Sequence, residues 1–129
     1  RDAEPPERLA ETVRRADLCL GIFGETGKAG RVVPNKVYEA MAAGRPVITG
    51  DSPAAREFLR DGDDYLLCRR GDPAALAEAI LRLRGDGALA ARLASGGRRR
   101  FEEIAAPPVI GRELLHRLER WREMRDRAA

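Results

Sequence analysis

The amino-acid sequence predicts an α/β fold: a Rossmann-like parallel sheet flanked by helices, with a helical C-terminal segment. Three short apolar segments of strand length alternate with stretches whose apolar residues recur at helical spacing, and the connections between them are tight. This alternation is typical of parallel strands joined by right-handed helical crossovers. Because both faces of a parallel sheet are normally covered, we expect the strands to be buried between helices.

The first half of the chain contains two of the predicted strands. The prolines at 5 and 6 can open a helix, because the first helical turn does not need their missing N–H group. The continuous apolar run over 18–23 indicates a strand buried on both faces. The elements predicted up to residue 60 are, in order, a helix that Asp17 ends, a strand over 18–23, a glycine-rich loop over 24–33, a helix over 34–43 capped by Gly44, a strand over 46–49 and a helix from Ser52-Pro53 to about residue 60.

The second half contributes one more strand and is otherwise helical. The predicted elements are a turn over 61–64, a strand over 65–69, a helix from Pro73 that Asp72 caps, a helix over 86–94, a further helix towards Glu103 and a long helix after Pro107-Pro108. We expect Gly96-Gly97 to break the helical segment in which they lie. In the last helix an apolar stripe recurs at three and four residues and is expected to pack against another part of the protein: Ile110, Leu114, Leu118 and Trp121.

Composition and charge exclude several classes of protein. The chain has 129 residues, of which 43% are hydrophobic, so it is one packed domain rather than a disordered segment. It has no run of about 18 uncharged apolar residues, which a transmembrane helix needs. Two cysteines without a terminal apolar run argue against a secreted, disulfide-stapled domain, and we expect a cytoplasmic location. The net charge of +3 is smaller than the positive charge typical of proteins that bind nucleic acid, so no nucleic-acid partner is expected.

The predicted strands are fewer than a parallel sheet normally has. We therefore expect residues 1–85 to be a partial Rossmann-like nucleotide-sugar-binding domain that lacks its first βαβ portion, with Arg1 in a linker. Residues 86–129 are expected to form C-terminal helices that pack on it. A small, complete three-stranded domain is the alternative.

The loops after the first two strands contain the residues that point to a ligand. In open α/β sheets, ligands bind beyond the carboxyl ends of the strands, which here are Phe23-Gly24, Thr49-Gly50 and Arg69-Arg70. Glycine lets backbone N–H groups approach a ligand, and a helix start offers free N–H donors with a partial positive charge. The glycine-rich loop leads to one helix start and Gly50-Asp51-Ser52 leads to another. Together they predict a seat for a diphosphate; the alternative is that the glycines only permit turns.

Lys36 and Glu39 are the most informative side chains of this region. Only Lys28 and Lys36 among the 24 basic residues are lysines, and Lys36 lies in a first helical turn, where the helix dipole disfavours a cation unless an anion compensates. Glu39 lies three residues further on, on the same helical face. A carboxylate beside a phosphate seat suits a diol such as ribose, whose hydroxyl groups donate hydrogen bonds to it. The alternative for Glu39 is an ion pair with Lys36.

The segment from Val33 to Ile48, VPNKVYEAMAAGRPVI, resembles the nucleotide-sugar-binding segment of family 4 glycosyltransferases, which have the GT-B architecture. Ala16-Asp17-Leu18, Arg56-Glu57-Phe58, Asp61-Gly62 and residues 71–76 also fall in the order of that family. The resemblance therefore extends over about residues 8–85. It implies the C-terminal, donor-binding, Rossmann-like domain of a retaining glycosyltransferase, as one part of a larger protein.

The resemblance also implies roles for single residues. Glu39 matches the glutamate that holds the ribose hydroxyls, Lys36 the lysine near the diphosphate, and Gly24 the glycine region whose backbone approaches phosphate. Many members have a further glutamate, facing the transferred sugar, eight positions before Glu39, where this chain has Arg31. Either Glu25 takes that role through a longer loop, or Arg31 adds a phosphate contact. The expected donor-binding residues are Gly24, Glu25, Lys28, Arg31, Asn35, Lys36, Glu39, Gly50, Asp51 and Ser52.

The expected function is transfer of a sugar from a nucleoside-diphosphate sugar to an acceptor, by a hexosyltransferase-type enzyme. Fixed cations and N–H groups would stabilise the departing diphosphate, and the resemblance implies that they do so without a metal, so no cofactor and no metal ligand are expected. The acceptor site and any base are assigned to the missing N-terminal domain. No catalytic residue is named, and these 129 residues alone are expected to be inactive. The alternative is a non-catalytic nucleotide- or phosphate-binding α/β module.

Other features are interpreted as structural, and two further partners stay open. We interpret Asp63-Asp64 as a solvated turn, Cys19 and Cys68 as buried thiols, and His116 as a surface or structural histidine. Residues 98–100, Arg-Arg-Arg, are expected to be a solvated helix face; the alternative is peripheral contact of the full-length protein with an anionic membrane. A bare sheet edge leaves open a homodimer of the fragment.

Overall fold

The computed structural model describes residues 5–128, which form three parallel strands and seven helices. In chain order the elements are α1 (Pro6–Arg15), β1 (Cys19–Leu20), α2 (Gly27–Gly30), α3 (Asn35–Ala42), β2 (Val47–Gly50), α4 (Pro53–Phe58), β3 (Leu66–Cys68), α5 (Pro73–Gly85), α6 (Gly87–Ile104) and α7 (Pro107–Ala128). The predicted α/β class and the helical C-terminal segment are confirmed. Arg1, predicted to lie in a linker, is outside the described residues.

The sheet has the order β1-β2-β3, and both neighbouring pairs are parallel. The central strand β2 is buried along its whole length. Because side chains alternate along a strand, Val47 joins a core with α3 and Tyr65, whereas Ile48 joins a second core with α5 and α6. The sheet is therefore covered by helices on both faces, as a parallel sheet requires.

The first strand is shorter and more exposed than the sequence predicts. Only Cys19 and Leu20 form the strand, although the N–H of Gly21 continues the pairing by donating to the carbonyl of Ile48 at 2.8 Å. Leu20 is 42% exposed. The predicted burial on both faces is wrong here: α5 packs against β2 and β3 and α6 against β2, whereas the main helix contact of β1 is with α3.

The end of α3 confirms the predicted glycine cap. Gly44 has a φ of +64°, a conformation that side-chain-bearing residues rarely adopt. The N–H of Gly44 donates to the carbonyl of Met41, and the N–H of Arg45 donates to the carbonyl of Ala40, each at 2.9 Å. These two hydrogen bonds satisfy carbonyl groups that the end of a helix leaves free, and they turn the chain into β2.

Helix α6 runs without a break through Gly96-Gly97, contrary to the prediction. The helix crosses the turn that leads into β3, and a Cβ atom on Gly96 would collide with the carbonyl oxygen of Asp63. A Cβ atom on Gly97 would lie 2.8 Å from the carbonyl oxygen of Asp64. The two glycines thus serve close packing of a helix against backbone, which outweighs their poor helix propensity.

Asp64 is buried rather than solvated, which corrects a second prediction. It is 3% exposed, and its Oδ2 atom accepts a hydrogen bond from the N–H of Arg60 at 2.9 Å. The Nε atom of Arg100 lies 3.9 Å from the same oxygen. The carboxylate therefore joins the end of α4 to α6, a long-range partnership that the local sequence does not reveal.

The arginine run at residues 98–100 is only partly a solvated face. Arg98 donates through Nη1 to the carbonyl of Ala42 at 2.6 Å, and Arg100 donates through Nε to the carbonyl of Phe58 at 2.8 Å. These carbonyls lie at the C-terminal ends of α3 and α4, where a cation is favoured by the helix dipole. Arg99 is exposed. Two of the three arginines therefore tie α6 to neighbouring helices.

The apolar stripe of α7 is exposed within the part of the chain that the structure describes. Ile110, Leu114, Leu118 and Trp121 are each more than half exposed, and α7 contacts α6 near its start. The predicted packing of this stripe is therefore not found among the described residues. His116, on the same helix, is also exposed.

Cys19 and Cys68 are free thiols. Cys68 is buried, as predicted, whereas Cys19 is half-buried. Burial raises the pKa of both thiols above the ordinary value.

The packing of α6 generates a prediction about Gly96. We expect Gly96→Ala to lower the free energy of unfolding by roughly 1–2 kcal/mol, because overpacking costs more than the gain in helix propensity returns. Gly111→Ala is the matched control, since Gly111 also lies inside a helix but has open space around it. Urea unfolding followed by circular dichroism measures both. A Gly96→Ala protein as stable as wild type would contradict this account of α6.

Candidate functional site

The carboxyl ends of the strands meet at one edge of the sheet. The loops that leave this edge are tied together by three backbone hydrogen bonds of 2.8–2.9 Å, from the N–H groups of Gly50, Asp51 and Gly71 to the carbonyls of Ile22, Cys68 and Phe23, respectively. The loop after β3 therefore meets the loop after β1, although these two strands are not neighbours in the sheet. This is the edge at which α/β folds bind their ligands.

The side chain of Arg70 crosses this edge. Its stem packs against Gly50, where a Cβ atom would lie 2.6 Å from the Cγ of Arg70. Its guanidinium lies against Gly30, where a Cβ atom would lie 3.2 Å from Nη1, and Nη1 donates to the carbonyl of Gly24 at 3.4 Å. Arg70 is absent from the residues predicted from the sequence. Its position directly after the third strand is the signal that could have identified it.

A cleft of about 430 Å³ opens at this edge of the sheet. Two of the predicted residues, Glu25 and Asp51, lie on its wall. Three carboxylates and three guanidinium groups line it, and the full set is Glu25, Asp51, Arg56, Asp61, Leu67, Cys68, Arg69 and Arg70. The cleft is therefore polar, with charges of both signs.

The carboxylate of Asp51 is engaged by Arg56. Its Oδ1 atom accepts a hydrogen bond from Nε at 2.6 Å, and its Oδ2 atom accepts one from Nη2 at 2.7 Å. The hydrogen bond and the charge of Arg56 hold the pKa of Asp51 below its usual range against the opposing effect of burial, and the charge of Arg70 adds to this. Asp51 thus contributes an ionised carboxylate to the cleft wall, and this carboxylate is already paired with Arg56.

Glu25 lies at the same edge because Gly71 makes room for it. Gly71 has a φ of +66°, and a Cβ atom there would collide with the carboxyl group of Glu25. The side chain of Glu25 thus lies against the turn after β3. Its predicted contact with the transferred sugar stays a prediction.

Ser52 and Gly50 have structural duties at this edge. The Oγ atom of Ser52, a buried residue, accepts a hydrogen bond from the N–H of Ala55 at 3.1 Å and so caps α4. Gly50 is buried, and the space beside it is occupied by the stem of Arg70 and the carbonyl of Ile22. Their predicted contacts with a donor stay predictions.

The loop over 24–33 contains the short helix α2, which the sequence analysis missed. Thr26 begins this helix by accepting a hydrogen bond from the N–H of Ala29 at 3.2 Å. Lys28 and Arg31 are exposed on this turn, and Asn35 and Lys36 are exposed at the start of α3. Among the described residues, no ion pair within 4.0 Å involves these three cations, so the alternative of a Lys36–Glu39 pair is not found.

Glu39 lies on a different cleft, of about 500 Å³, between α1, α3 and α6. This second cleft is mostly apolar, with Arg14, Glu39 and Arg98 as its charged residues; the other residues on its wall are Pro6, Leu9, Ala10, Val13, Ala42 and Ala43. The two clefts share no wall residue. The structure therefore separates the predicted site residues. Glu25 and Asp51 line the cleft at the sheet edge and Glu39 lines the groove beside α1. The exposed residues of the intervening loop and helix start line neither cleft: Lys28, Arg31, Asn35 and Lys36.

Neither a metal site nor a membrane span is present in the described part of the chain. Across residues 5–128, no group of three or more histidine, cysteine, aspartate and glutamate side chains could hold a metal ion. No helix in the same range has both the length and the apolar character needed to cross a membrane.

Comparison with known proteins identifies relatives. Over 89 residues the chain is 46% identical to a phosphatidyl-myo-inositol mannosyltransferase of Mycobacterium leprae. This alignment covers 68% of this chain and 22% of that protein. The chain is 35% identical over 136 residues to an exopolysaccharide phosphotransferase of Streptomyces coelicolor, covering 96% of this chain and 14% of that protein. The chain thus spans less than a quarter of the length of these relatives.

Solved structures have the same fold. A sucrose-phosphate synthase from Thermosynechococcus elongatus superposes with a TM-score of 0.74 at 26% identity, over 92% of this chain and 28% of that one. The HepE protein of Anabaena, solved in complex with UDP-glucose, superposes with a TM-score of 0.73 at 22% identity, over 84% of this chain and 29% of that one.

The family itself follows from the match to a family model. The model described as Glycosyl transferases group 1 matches residues 4–86, which is more than half of the chain and includes all three strands and α3. This chain therefore belongs to the Glycosyl transferases group 1 family.

Proposed function

We propose that this chain is the C-terminal, donor-binding domain of a family 4 retaining glycosyltransferase, and that it holds a nucleoside-diphosphate sugar at the carboxyl edge of its sheet. The main support is the segment from Val33 to Ile48, which matches the nucleotide-sugar-binding motif and folds as α3 followed by β2. The mannosyltransferase relative and the UDP-glucose complex of HepE support hexose transfer from a nucleotide sugar.

The charges around the loop over 24–33 suit a diphosphate. Lys28, Arg31 and Lys36 are exposed and lie outside every ion pair found among the described residues. When the bond between sugar and phosphate breaks, the diphosphate gains negative charge, and fixed cations that face it lower the barrier. In this proposal the three cations hold the leaving group. The family resemblance implies that no metal shares that role.

The position of Glu39 sets the direction of the bound donor. Glu39 lies one helical turn beyond Asn35, about 6 Å along the axis of α3. A diphosphate at the start of α3 would therefore place the adjoining ribose beside the second turn of the helix, within reach of Glu39. The donor would then run from the sheet edge towards the groove beside α1, with its ribose hydroxyls donating to the carboxylate.

Two parts of the reaction are assigned to the rest of the protein. The acceptor site and any base are expected outside these 129 residues, and the isolated chain is expected to bind nucleotide weakly and to transfer no sugar. Contact with an anionic membrane, self-pairing of the isolated chain and a cytoplasmic location stay predictions. A non-catalytic nucleotide-binding module is the second candidate, because the fold and the motif would serve binding alone equally well.

The first test measures binding by the full-length protein. Calorimetric titration with UDP-, GDP- and ADP-sugars should reveal one donor that binds. Glu39→Ala should weaken that binding by about 1–3 kcal/mol, the scale for losing charge-assisted hydrogen bonds. Glu119→Ala, which removes an exposed carboxylate from α7, is the control and should bind as wild type does. Binding that survives Glu39→Ala unchanged refutes the ribose contact; absence of binding for every donor refutes the proposed function.

The second test separates an enzyme from a binding module. The full-length protein, given the donor that binds and a panel of acceptors that includes phosphatidylinositol, should release nucleoside diphosphate and form a glycosylated product. Because a retaining enzyme preserves the anomeric configuration, NMR of the product should show the anomer of the donor. Binding without any product would favour the second candidate, and clear turnover by the isolated 129 residues would contradict the assignment of the acceptor side elsewhere.

A further inference from the structure

We infer that Arg70 contacts the diphosphate of the donor, an inference that rests on the proposed function and deepens it. Arg70 lies outside the motif at Val33–Ile48 and comes from the loop after β3. The fold places Arg70 beside the loop over 24–33 and Gly50, where the sequence predicts a diphosphate-binding site.

Two glycines at this edge make room for Arg70. At position 50, a Cβ atom would lie 2.6 Å from the Cγ of Arg70 and 2.7 Å from the carbonyl oxygen of Ile22. At position 30, it would lie 3.2 Å from Nη1. The arginine stem is therefore guided between the end of β2 and the loop after β1. Its guanidinium lies beside Gly30 and the carbonyl of Gly24 in that loop.

The guanidinium has unused donors. It has five N–H groups, and among the described residues Nη1 alone makes a hydrogen bond, to the carbonyl of Gly24 at 3.4 Å. In the same part of the chain no carboxylate lies within 4.0 Å of it: Asp51 is engaged by Arg56 at 2.6 Å and Asp72 by Arg69 at 3.2 Å, and Glu25, which lines the same cleft, forms no ion pair with Arg70. A planar guanidinium with free donors is suited to two oxygens of a phosphate group at once.

Arg70 differs from the other cations of the site in how firmly it is placed. Lys28, Arg31 and Lys36 are exposed, whereas Arg70 is half-buried and its stem packs between backbone segments. A side chain already held in place loses less conformational entropy when it binds an anion. Arg70 is therefore the cation of this edge that is best prepared to bind a diphosphate.

The competing explanation is that Arg70 only fastens the loop at Gly24 to the sheet. A residue that only holds the loop in place affects the whole pocket, so its loss would weaken the binding of nucleoside and of nucleoside diphosphate alike. A phosphate contact acts on the diphosphate alone. The ratio of the two affinities therefore separates the explanations.

The experiment uses full-length protein and three variants: Arg70→Ala, Arg70→Lys and, as control, Arg99→Ala. The control removes the same charge from α6, where Arg99 is exposed and lines neither cleft. Calorimetric titrations use UDP, GDP and ADP, the corresponding nucleosides, and inorganic pyrophosphate, with circular dichroism to verify folding. Arg70→Ala should weaken binding of the nucleoside diphosphate and of pyrophosphate about 10- to 150-fold, the range for losing hydrogen bonds from a charged group. Nucleoside binding should change less than about threefold, Arg70→Lys should be intermediate, and Arg99→Ala should match wild type.

Failure of this inference and failure of the proposed function give different results. If wild type binds a nucleotide and Arg70→Ala binds it equally well, or loses nucleoside and diphosphate alike, the inference is overturned and the proposed function stands. If wild type binds pyrophosphate through Arg70 but no nucleotide, the anion contact stands and the proposed function falls. If wild type binds none of the probes, both are overturned.

Discussion

The burial of β2 between two helical layers is the constraint on which the rest of the structure depends. Val47 and Ile48 are fully buried on opposite faces of the strand, and burying side chains of this kind contributes roughly 1.5–3 kcal/mol each. Because β1 and β3 both run parallel to β2, each connection must cross back over a face of the sheet before the next strand begins. All three strands then end at one edge, and Arg70, which follows the last of them, can reach a loop that follows the first.

Helix α6 braces this arrangement from outside the stretch that matches the family model. Leu89 and Leu93 fill the core beneath Ile48, although the family match ends at residue 86. The helix approaches the turn before β3 through Gly96-Gly97, and Arg98 and Arg100 bind the last carbonyls of α3 and α4. The helix ends that α6 holds belong to α3, which follows the loop over 24–33, and to α4, which follows Asp51. The site therefore depends on packing provided by residues that the motif does not contain.

The sequence predicted the order and type of the main elements because burial and periodicity are local signals. The apolar run at Val47–Ile48 indicates a buried strand and Gly44 indicates a helix end without any knowledge of the rest of the fold. The sequence did not predict α2, since a single turn begun by Thr26 has no apolar periodicity. It also misjudged Gly96-Gly97 and Arg100, because their partners lie more than 30 residues away along the chain. Asp64 has one partner close by in the sequence, Arg60, and one on α6, Arg100, and only the second depends on the tertiary fold. Arg70 is absent from the predicted donor-binding residues although its place directly after the third strand was predicted, because only the folded chain shows that its side chain reaches the loop after β1.

The glycines of the sheet edge have different structural roles within a single site. Gly30 and Gly50 stand where a Cβ atom would meet Arg70, and Gly71 stands where it would meet Glu25, so these three make room for side chains of the protein itself. Gly24 has nothing within 4 Å of a Cβ position and keeps the open approach that a backbone contact to phosphate requires. Under the proposed function, this edge therefore relies less on backbone N–H groups than its glycine content suggests and more on placed cations. Arg31 stands where many family 4 glycosyltransferases have a glutamate, and this additional cation agrees with a larger role for cations than for backbone N–H groups.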